Sequence, residues 1–346
     1  MALHSKWRCC WRANKKKEKR QGCRAVPENP TAENSGGVRR IAISADDAGQ
    51  RLDNFLQRTL KGVPKGHIYR LIRSGQVRIS GRRAHPDTRL AAGEQVRLPP
   101  VRVAQREAGA GAAAPPRAFA PLFEDDALLA LNKPAGVAVH GGSGVSFGLI
   151  EQARRARPAL RFLELAHRLD RETSGVLLLA KKRSALTALQ EQWRQRRVKK
   201  HYLALVLGSW PAKLHTIDTP LRKYLDAAHE RRVAPAAAGT PGALSALTRV
   251  RVQRRYAGFT LLCASIHTGR THQIRVHLAA HGCPIAGDAK YGDFAANHAL
   301  RTRGLQRMFL HAWQLDLMHP LTGEPLRLQA PLPPHLEMFL NTLGMP

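Results

Sequence analysis

The sequence predicts an α+β protein of two folded domains, the larger of which contains a mixed, largely antiparallel sheet. Helical and strand-like patterns do not alternate along the chain as βαβ units, which disfavours an all-parallel sheet. At residues 101–118 the composition shifts to Ala, Gly and Pro, which is typical of a linker between domains. The 346 residues are enough for two domains and a sizeable core.

The chain is strongly basic, with 56 Lys and Arg residues against 25 Asp and Glu residues and a formal net charge of +31. An excess spread along the whole chain indicates a polyanionic partner. Membrane binding is the competing use of positive charge, but no apolar stretch approaches the roughly 18 residues of a transmembrane helix. The amino terminus also lacks the apolar segment of a secretory signal, so we expect a cytoplasmic protein.

Cysteine usage predicts a reducing compartment and no metal site. The five cysteines form an odd, scattered set, which argues against a disulfide framework. Cys9, Cys10 and Cys23 match no common zinc spacing with His4, and adjacent cysteines chelate poorly. The glycine-rich residues 140–144 lack the Lys–Ser/Thr ending of a phosphate-binding loop and the spacing of a dinucleotide fingerprint. We therefore expect neither a metal nor an organic cofactor.

Residues 1–38 are predicted to be a disordered basic extension, because their apolar content is low and no hydrophobic period holds. The run KKKEKR within this segment would suit a basic arm that touches RNA. The segment would equally suit an extension outside the folded protein.

Residues 39–100 are predicted to form a small α+β module in which two helices precede returning strands. The apolar residues at helical spacing are Leu52, Phe55, Leu56 and Leu60, followed by Ile68, Leu71 and Ile72. The arginines that this pattern leaves for the surface are Arg70, Arg73, Arg78, Arg82 and Arg83. A cluster of arginines without interleaved acidic residues favours contact with RNA phosphates over a merely solvated face.

Residues 119–346 are predicted to form the larger domain. Helices are expected at 146–157, 184–194 and 276–281, and strands at 128–131, 202–207, 248–253 and 259–266. Residues 210–246 are rich in Pro and Ala, which indicates an insertion or a long loop. A basic edge is expected where the second of these helices ends, and it consists of Arg194, Arg196, Arg197, Lys199 and Lys200.

The stretch 165–182 (LAHRLDRETSGVLLLAKK) is the centre of the larger domain. Its apolar run 176–180 predicts a buried strand, and the turn before this strand is dense in polar side chains. Asp170 lies between Arg168 and Arg171, whose charges favour an ionised carboxylate. Such an aspartate can act as a base or a nucleophile, or it can pin the turn by ion pairing.

Four stretches, taken in order, resemble the motifs of the RluA family of pseudouridine synthases. They are NKPAGVAVH at 132–140, HRLDRETSG at 167–175, KHYLALV at 200–206 and GRTHQIRVHL at 269–278. The resemblance covers about residues 39 to 340 and implies an S4 RNA-binding domain at 39–100 and a pseudouridine synthase catalytic domain at 119–346. The run 42–77 and the phrase HGGSGVSFG resemble the RluC type within this family, which modifies large-subunit ribosomal RNA.

The resemblance implies a role for each of three charged residues. Asp170 corresponds to the catalytic aspartate, which either attacks C1′ of the ribose or removes a C2′ proton to form a glycal. Arg275 corresponds to the arginine that pairs with this aspartate, and a bidentate guanidinium would fix one geometry of the carboxylate. Contact with an RNA phosphate is the alternative for Arg275. Arg168 resembles the arginine that fills the gap left by a flipped base.

Tyr202 corresponds to the family tyrosine, which would stack on uracil and whose hydroxyl would help at C5. The alternative is a core aromatic residue on a strand. The basic residues 199–201 directly before it are expected to lower the pKa of a tyrosine. His167, His272 and His277 do not correspond to metal ligands in the family, and we interpret them as hydrogen-bonding or RNA-facing residues.

Charge and resemblance together predict an enzyme that isomerises specific uridines of large-subunit (23S) ribosomal RNA to pseudouridine. This reaction flips the base out of its stack, breaks the N1–C1′ bond, joins C5 to C1′ and removes the C5 proton. A synthase for other ribosomal or transfer RNA uridines and a non-catalytic S4-containing RNA-binding protein are the alternatives. We expect a monomer with ribosomal RNA as its partner and without a membrane or metal requirement.

Overall fold

The computed structural model describes residues 37–60, 63–101, 114–141, 146–227 and 229–344. The predicted extension therefore lies almost wholly outside the described residues, as do residues 102–113 of the predicted linker. The division of the chain at residues 38, 100 and 118 stays a prediction.

The amino-terminal module combines two helices with a small sheet. Its elements are β1 (Arg39–Ala42), a short 3-10 helix (Ala45–Asp47), α1 (Leu52–Thr59), α2 (Lys65–Arg73), β2 (Arg78–Ile79), β3 (Arg82–Arg83) and β4 (Gln95–Leu98). The strands pair in the order β1–β4–β2–β3. Both predicted helices are confirmed, and the apolar residues that predicted them form one buried core. Burial of this face leaves the arginines between the apolar positions on the surface.

The larger domain alternates irregularly between strands and helices. In chain order its elements are β5 (Pro121–Glu124), β6 (Leu128–Lys133), α3 (Leu149–Ala156), β7 (Glu164–Leu165), β8 (Ser174–Ala180), α4 (Arg183–Arg194), β9 (Lys199–Leu207), β10 (Thr216–Asp218), β11 (Leu221–Leu225), β12 (Arg231–Pro235), β13 (Ala243–Leu244), β14 (Leu247–Tyr256), β15 (Phe259–Ile266), α5 (Gln273–Ala280), α6 (Phe294–Thr302), β16 (Leu310–Met318), β17 (Pro325–Gln329) and α7 (Pro334–Asn341).

One ten-stranded sheet forms the centre of this domain. Its strands follow the order β10–β14–β15–β9–β16–β8–β6–β5, with β17 on β16 and β7 on β8. Among the pairings within the described ranges, β16 with β8 is parallel and the others are antiparallel. The predicted α+β class with a mixed, largely antiparallel sheet is therefore confirmed.

Strand β8 is buried on both of its faces, which explains its continuous apolar sequence. Successive side chains of a strand point to opposite faces of the sheet. Leu177 and Leu179 accordingly belong to one hydrophobic cluster, and Val176 and Leu178 belong to another, which includes apolar residues of α4. The strand is therefore fixed from both sides, and so is the start of the turn that precedes it.

Strands β8 and β16 approach each other closely at Gly175. This residue has a φ of +113°, and a Cβ atom there would lie 2.1 Å from the carbonyl oxygen of Ala312. A side chain is therefore excluded on both conformational and steric grounds. The close approach determines where the turn 167–173 enters the sheet.

Residues 210–246 contain regular structure, so the long-loop interpretation of this segment is wrong. They include β10 and a separate three-stranded sheet of order β12–β11–β13. Four of the five residues of β11 are exposed. Because exposed strands carry no apolar alternation, sequence periodicity could not reveal them.

Candidate active site

An open cleft of about 970 Å³ lies where the turn before β8, the end of α4, the start of β9 and the connection from β15 to α5 meet. The lining includes every residue that the resemblance assigns to the reaction, namely Asp170, Tyr202, Arg275 and Arg168. Part of the predicted basic edge also lines it, namely Arg194, Arg196 and Lys200. The fold thus brings together residues from all four motifs, since Val139 and His140 of the first motif also line the cleft.

His167 attaches the Asp170 turn to the sheet. The backbone N–H of Leu178 donates to His167 Nε2 at 3.0 Å, and the imidazole stacks on Trp193 with ring centroids 5.4 Å apart. Burial, together with the charge of Lys200, lowers the pKa of His167 to about 4. The neutral ring can therefore accept the backbone hydrogen bond at physiological pH. His167 is thus a hydrogen-bonding residue of the site.

Lys133, at the end of β6, also holds the Asp170 turn, a role that the sequence did not reveal. Its ammonium group is fully buried and donates to the carbonyl oxygens of Pro134, Arg171 and Thr173 at 2.8–3.0 Å. Burial, followed by the charge of Arg307, lowers the pKa of Lys133 to about 7. The three carbonyl acceptors match the three donors of an ammonium group. Lys133 therefore ties the NKPAG motif to both ends of the segment that follows Asp170.

Arg307 supports the turn from a second side. Its Nη2 donates to the hydroxyl oxygen of Ser174 at 2.9 Å and to the carbonyl oxygen of Leu310 at 3.1 Å. Ser174 in turn lies 2.8 Å from Nδ1 of the buried His311, whose Nε2 is 3.1 Å from the carbonyl oxygen of Ala330. Burial lowers the pKa of Arg307 to about 10 and that of His311 to about 4. This chain of hydrogen bonds leaves each buried polar group satisfied.

Arg275 makes its two short hydrogen bonds with the carboxylate of Asp288 and not with that of Asp170. Its Nε and Nη2 donate to the two oxygens of Asp288, both at 2.7 Å, whereas its Nη1 lies 3.6 Å from Asp170 Oδ2. Arg275 and Asp170 therefore form the expected ion pair, but the bidentate hydrogen bonds of Arg275 are made to Asp288. Asp288 is 1% exposed, and a buried carboxylate is costly unless it is paired. The burial of Asp288 raises its pKa, but the guanidinium and two backbone N–H groups outweigh this and hold the pKa below its ordinary value.

Tyr202 lies in the core of the sheet at the base of the cleft. It is 8% exposed and faces Ala264 on β15 and Ala312 on β16. Burial, and then the charge of Asp170, raise the pKa of Tyr202. The expectation that the preceding basic residues lower this pKa is therefore wrong, because burial acts against the charged phenolate. At neutral pH the hydroxyl keeps its proton.

His272 approaches Asp170 from another side of the cleft. It is the residue before α5, and its φ of +54° is in the left-handed region. Its Nε2 lies 3.9 Å from Asp170 Oδ2, and its Nδ1 lies 2.8 Å from the hydroxyl of Tyr291. Burial lowers the pKa of His272, although the charge of Asp170 partly opposes this. Strained backbone of this kind is concentrated at functional sites.

His277 has no access to the cleft. It is fully buried, with Nδ1 2.9 Å from Thr248 Oγ1 and Nε2 2.9 Å from the carbonyl oxygen of Thr219. As a hydrogen-bonding residue it therefore connects α5 to β14 and to the residue that follows β10. In the described ranges we find no group of three or more His, Cys, Asp or Glu that could hold a metal ion.

The arginines of the amino-terminal module lie away from the cleft lining. All five are exposed, two in the last turn of α2 and three on β2 and β3: Arg70, Arg73, Arg78, Arg82 and Arg83. Arg168 is exposed at the cleft itself.

None of the helices that the structure describes is long and apolar enough to cross a bilayer.

Comparisons with known proteins agree with this arrangement. The family described as RNA pseudouridylate synthase matches residues 127–280, and the S4 domain matches residues 50–96. Ribosomal large subunit pseudouridine synthase C from Salmonella typhimurium and from Escherichia coli K12 are each 51% identical over 312 residues, covering 88% of this chain and 97% of the relative. The human RNA pseudouridylate synthase domain containing 4 is a similar solved structure, 29% identical with a TM-score of 0.53, over 65% of this chain and 94% of that one.

A basic cleft that holds a carboxylate, a guanidinium and a tyrosine, next to an S4 domain, defines an enzyme that acts on RNA. This chain belongs to the RNA pseudouridylate synthase family. It is an RNA pseudouridine synthase with an S4 RNA-binding domain, and the predicted family, fold class and enzyme class are confirmed. The individual roles of the site residues stay predictions.

Proposed function

We propose that this protein converts specific uridines of large-subunit (23S) ribosomal RNA to pseudouridine and acts as a cytoplasmic monomer. The substrate is suggested by relatives that are 51% identical over 88% of the chain and are named for the large ribosomal subunit. The observation that carries the proposal is the single cleft in which Asp170, Arg275 and Tyr202 meet among basic side chains.

The cleft accommodates a base that has left its helix. Enzymes that act on a base flip it into a pocket, and the phosphates on either side then need cationic partners. Arg194, Arg196 and Lys200 line the cleft and supply such charges. Arg168 is exposed beside Asp170, where it can fill the gap that the flipped base leaves in the stack. The ring of Tyr202 forms part of the lining on which uracil would stack.

Asp170 carries the chemistry in this proposal. Its contacts with Arg275 and His272, at 3.6 and 3.9 Å, are longer than hydrogen bonds, so its oxygens are available to the ribose. The carboxylate either bonds to C1′ or takes the C2′ proton, and in both cases the N1–C1′ bonding electrons leave with uracil. Uracil then rotates and C5 bonds to C1′, either as the bond between C1′ and the Asp170 oxygen breaks or, from the glycal, as Asp170 returns the proton to C2′. Loss of the C5 proton and protonation of N1 then give pseudouridine.

Tyr202 contributes its ring and a protonated hydroxyl. Since burial and Asp170 raise the pKa of Tyr202, the hydroxyl must first release its own proton before it can accept the C5 proton. The raised pKa thus favours hydrogen bonding to uracil by Tyr202 and makes its use as a free phenolate base costly.

The S4 domain supplies affinity in this proposal. Exposed arginines attract phosphates at long range and release condensed counterions when they bind. An S4 domain in the same chain raises the effective concentration of RNA at the cleft.

Two measurements test the proposed substrate. Pseudouridine mapping in ribosomal RNA from a deletion strain should show lost sites that the parental gene restores and an Asp170→Asn gene does not. Purified protein should also release tritium from C5-labelled uridine in 23S transcripts. Lost sites in transfer RNA alone would redirect the proposal to that substrate, and unchanged RNA with no tritium release would contradict catalysis.

A further inference from the structure

A short turn outside the four motifs lies behind the charged residues of the cleft. Residues 287–292 (GDAKYG), which we call the anchor turn, connect the end of the β15–α5 region to α6. Gly287 has a φ of +78°, and a Cβ atom there would lie 2.3 Å from the carbonyl oxygen of Arg307. The anchor turn is therefore seated against the segment that also supports the Asp170 turn.

Asp288 of the anchor turn fixes the guanidinium of Arg275. Both carboxylate oxygens accept hydrogen bonds from Arg275 at 2.7 Å, and Oδ1 also accepts from the backbone N–H groups of Lys290 and Tyr291 at 2.8 and 3.1 Å. A carboxylate held by its own backbone presents one orientation to its partner. Arg275 is therefore left with Nη1 as the donor nearest to Asp170.

Tyr291 of the same turn fixes the imidazole of His272. The Tyr291 hydroxyl oxygen accepts the backbone N–H of Val233 at 3.0 Å and lies 2.8 Å from His272 Nδ1. If the hydroxyl donates its own proton to Nδ1, the Val233 N–H, the Tyr291 hydroxyl and His272 Nδ1 all have hydrogen-bond partners. This assignment leaves the proton of a neutral His272 on Nε2, the nitrogen that faces Asp170. The ring of Tyr291 also lies 5.1 Å from the guanidinium of Arg275.

We propose that Asp288 and Tyr291 are positioning residues that hold Arg275 and His272 just beyond hydrogen-bond distance of Asp170. The inference rests on the proposed function of Asp170. An arginine released from Asp288 would be free to form two hydrogen bonds with Asp170 and occupy the oxygens that the ribose needs. The anchor turn keeps the catalytic carboxylate close to positive charge and open to the substrate.

The first test compares Asp288→Asn with Asp293→Asn in the full-length protein. Asp293 is exposed and caps α6 through the N–H of Ala296, so the control makes the same chemical change five residues away. We expect Asp288→Asn to lower the single-turnover rate at saturating 23S transcript on the order of 10²-fold, because the reacting groups are misplaced. The dissociation constant for RNA should change little, and Asp293→Asn should keep the parental rate.

A double-mutant cycle separates positioning from a merely structural role. If Asp288 acts through Arg275, Asp288→Asn should cost little more when Arg275→Gln is already present. Equal losses in both backgrounds, or a parental rate for Asp288→Asn, would overturn the proposal for Asp288. If Asp288→Asn alone does not fold, the double variant, which buries no unpaired guanidinium, is compared with Arg275→Gln instead.

The third test measures which nitrogen of His272 carries the proton, and it requires no turnover. Nitrogen NMR of the parent should show the proton of His272 on Nε2, and Tyr291→Phe should lose this preference and slow the reaction about tenfold, the worth of one hydrogen bond. An unchanged His272 spectrum in Tyr291→Phe would overturn the role of Tyr291. An inactive parent with the expected spectrum would count against the proposed substrate and leave the geometry supported.

Discussion

The cleft and the S4 domain are both basic, but their charged side chains are held in different ways. In the cleft, two hydrogen bonds hold Arg275 on Asp288, and the buried Lys133, which supports the Asp170 turn, donates to three carbonyl oxygens. In the S4 domain, Arg70 and Arg82 are among five predicted RNA contacts that are all exposed. Bond breaking requires groups in a fixed orientation, whereas attraction to phosphates requires only a sufficient density of charge.

The comparison separates two kinds of effect. Substitutions in the cleft should change the rate at saturating RNA and leave affinity nearly intact. Substitutions in the S4 domain should change affinity and its salt dependence and leave the saturated rate nearly intact. A cleft substitution that weakens RNA binding, or an S4 substitution that lowers the saturated rate, would contradict this separation.

The largest effect is expected for Asp170→Asn. The amide has nearly the same size but cannot attack C1′ or accept the C2′ proton as a carboxylate does, so turnover should fall on the order of 10⁴-fold or more. Tritium release from C5-labelled RNA measures turnover, and filter binding measures affinity, which should survive. Asp126→Asn, on the exposed turn between β5 and β6, is the matched control. Appreciable release by the Asp170 variant would mean that the residue only pins its turn.

The next effect concerns the hydroxyl of Tyr202. If it assists at C5, Tyr202→Phe should slow the chemical step roughly 10²- to 10⁴-fold with the base still bound. Tyr202→Leu should in addition cost about 1–3 kcal/mol of RNA affinity through lost stacking. Single-turnover rates and affinities give both values, with Tyr256→Phe on β14 as a buried control outside the cleft. Parental turnover in both Tyr202 variants would make this residue ordinary core.

A smaller effect concerns the free energy of unfolding of the protein at acidic pH. The pKa values of His167 and His311 are lowered to about 4, whereas an unfolded histidine titrates near its ordinary value of 6.5. Below pH 6.5 the unfolded chain therefore binds more protons than the native protein. The stability present above pH 6.5 should be lost as the pH falls towards 4, by up to about 1.4 kcal/mol per pH unit for each histidine.

Urea unfolding at several pH values tests this dependence. His167→Gln should have a shallower decline than the parent between pH 6.5 and 4, whereas the same change at the exposed His298 should leave the decline unchanged. An equally steep decline in His167→Gln would show that its burial has no part in the acid sensitivity.

The smallest effect is expected in the S4 domain. Arg82→Ala and Arg83→Ala should each weaken RNA binding across sequences and reduce the slope of log affinity against log salt by about one. Arg301→Ala, an exposed change on α6, is the matched control. A changed saturated rate would show that these arginines do more than attract phosphates. An unchanged salt slope would show that they do not contact phosphates.

Much of the fold follows from local patterns. The helices α1, α2 and α4 were predicted from apolar spacing, and β8 from its continuous apolar run, because burial of one or both faces leaves a periodic record in the sequence. The strands β11 and β12 were missed because their exposed positions leave no such record. Lys133 could have been suspected, since a lysine at the end of an apolar strand needs a partner.

The anchor turn was missed for a different reason. Its flanking Gly287 and Gly292 indicate a turn, and Asp288 and Tyr291 stand between them, but nothing in the sequence shows what this turn faces.

By itself the sequence determined which residues stand in the cleft, because four ordered motifs identify Asp170, Tyr202 and Arg275 whatever their distance along the chain. Only the tertiary structure decided that Arg275 is bound to Asp288 and that the pKa of Tyr202 is raised. A guanidinium between two carboxylates binds the one whose buried geometry fits best, and a phenol responds to burial as well as to nearby charge. Both outcomes depend on distances and solvent exposure, which exist only after the strands have paired.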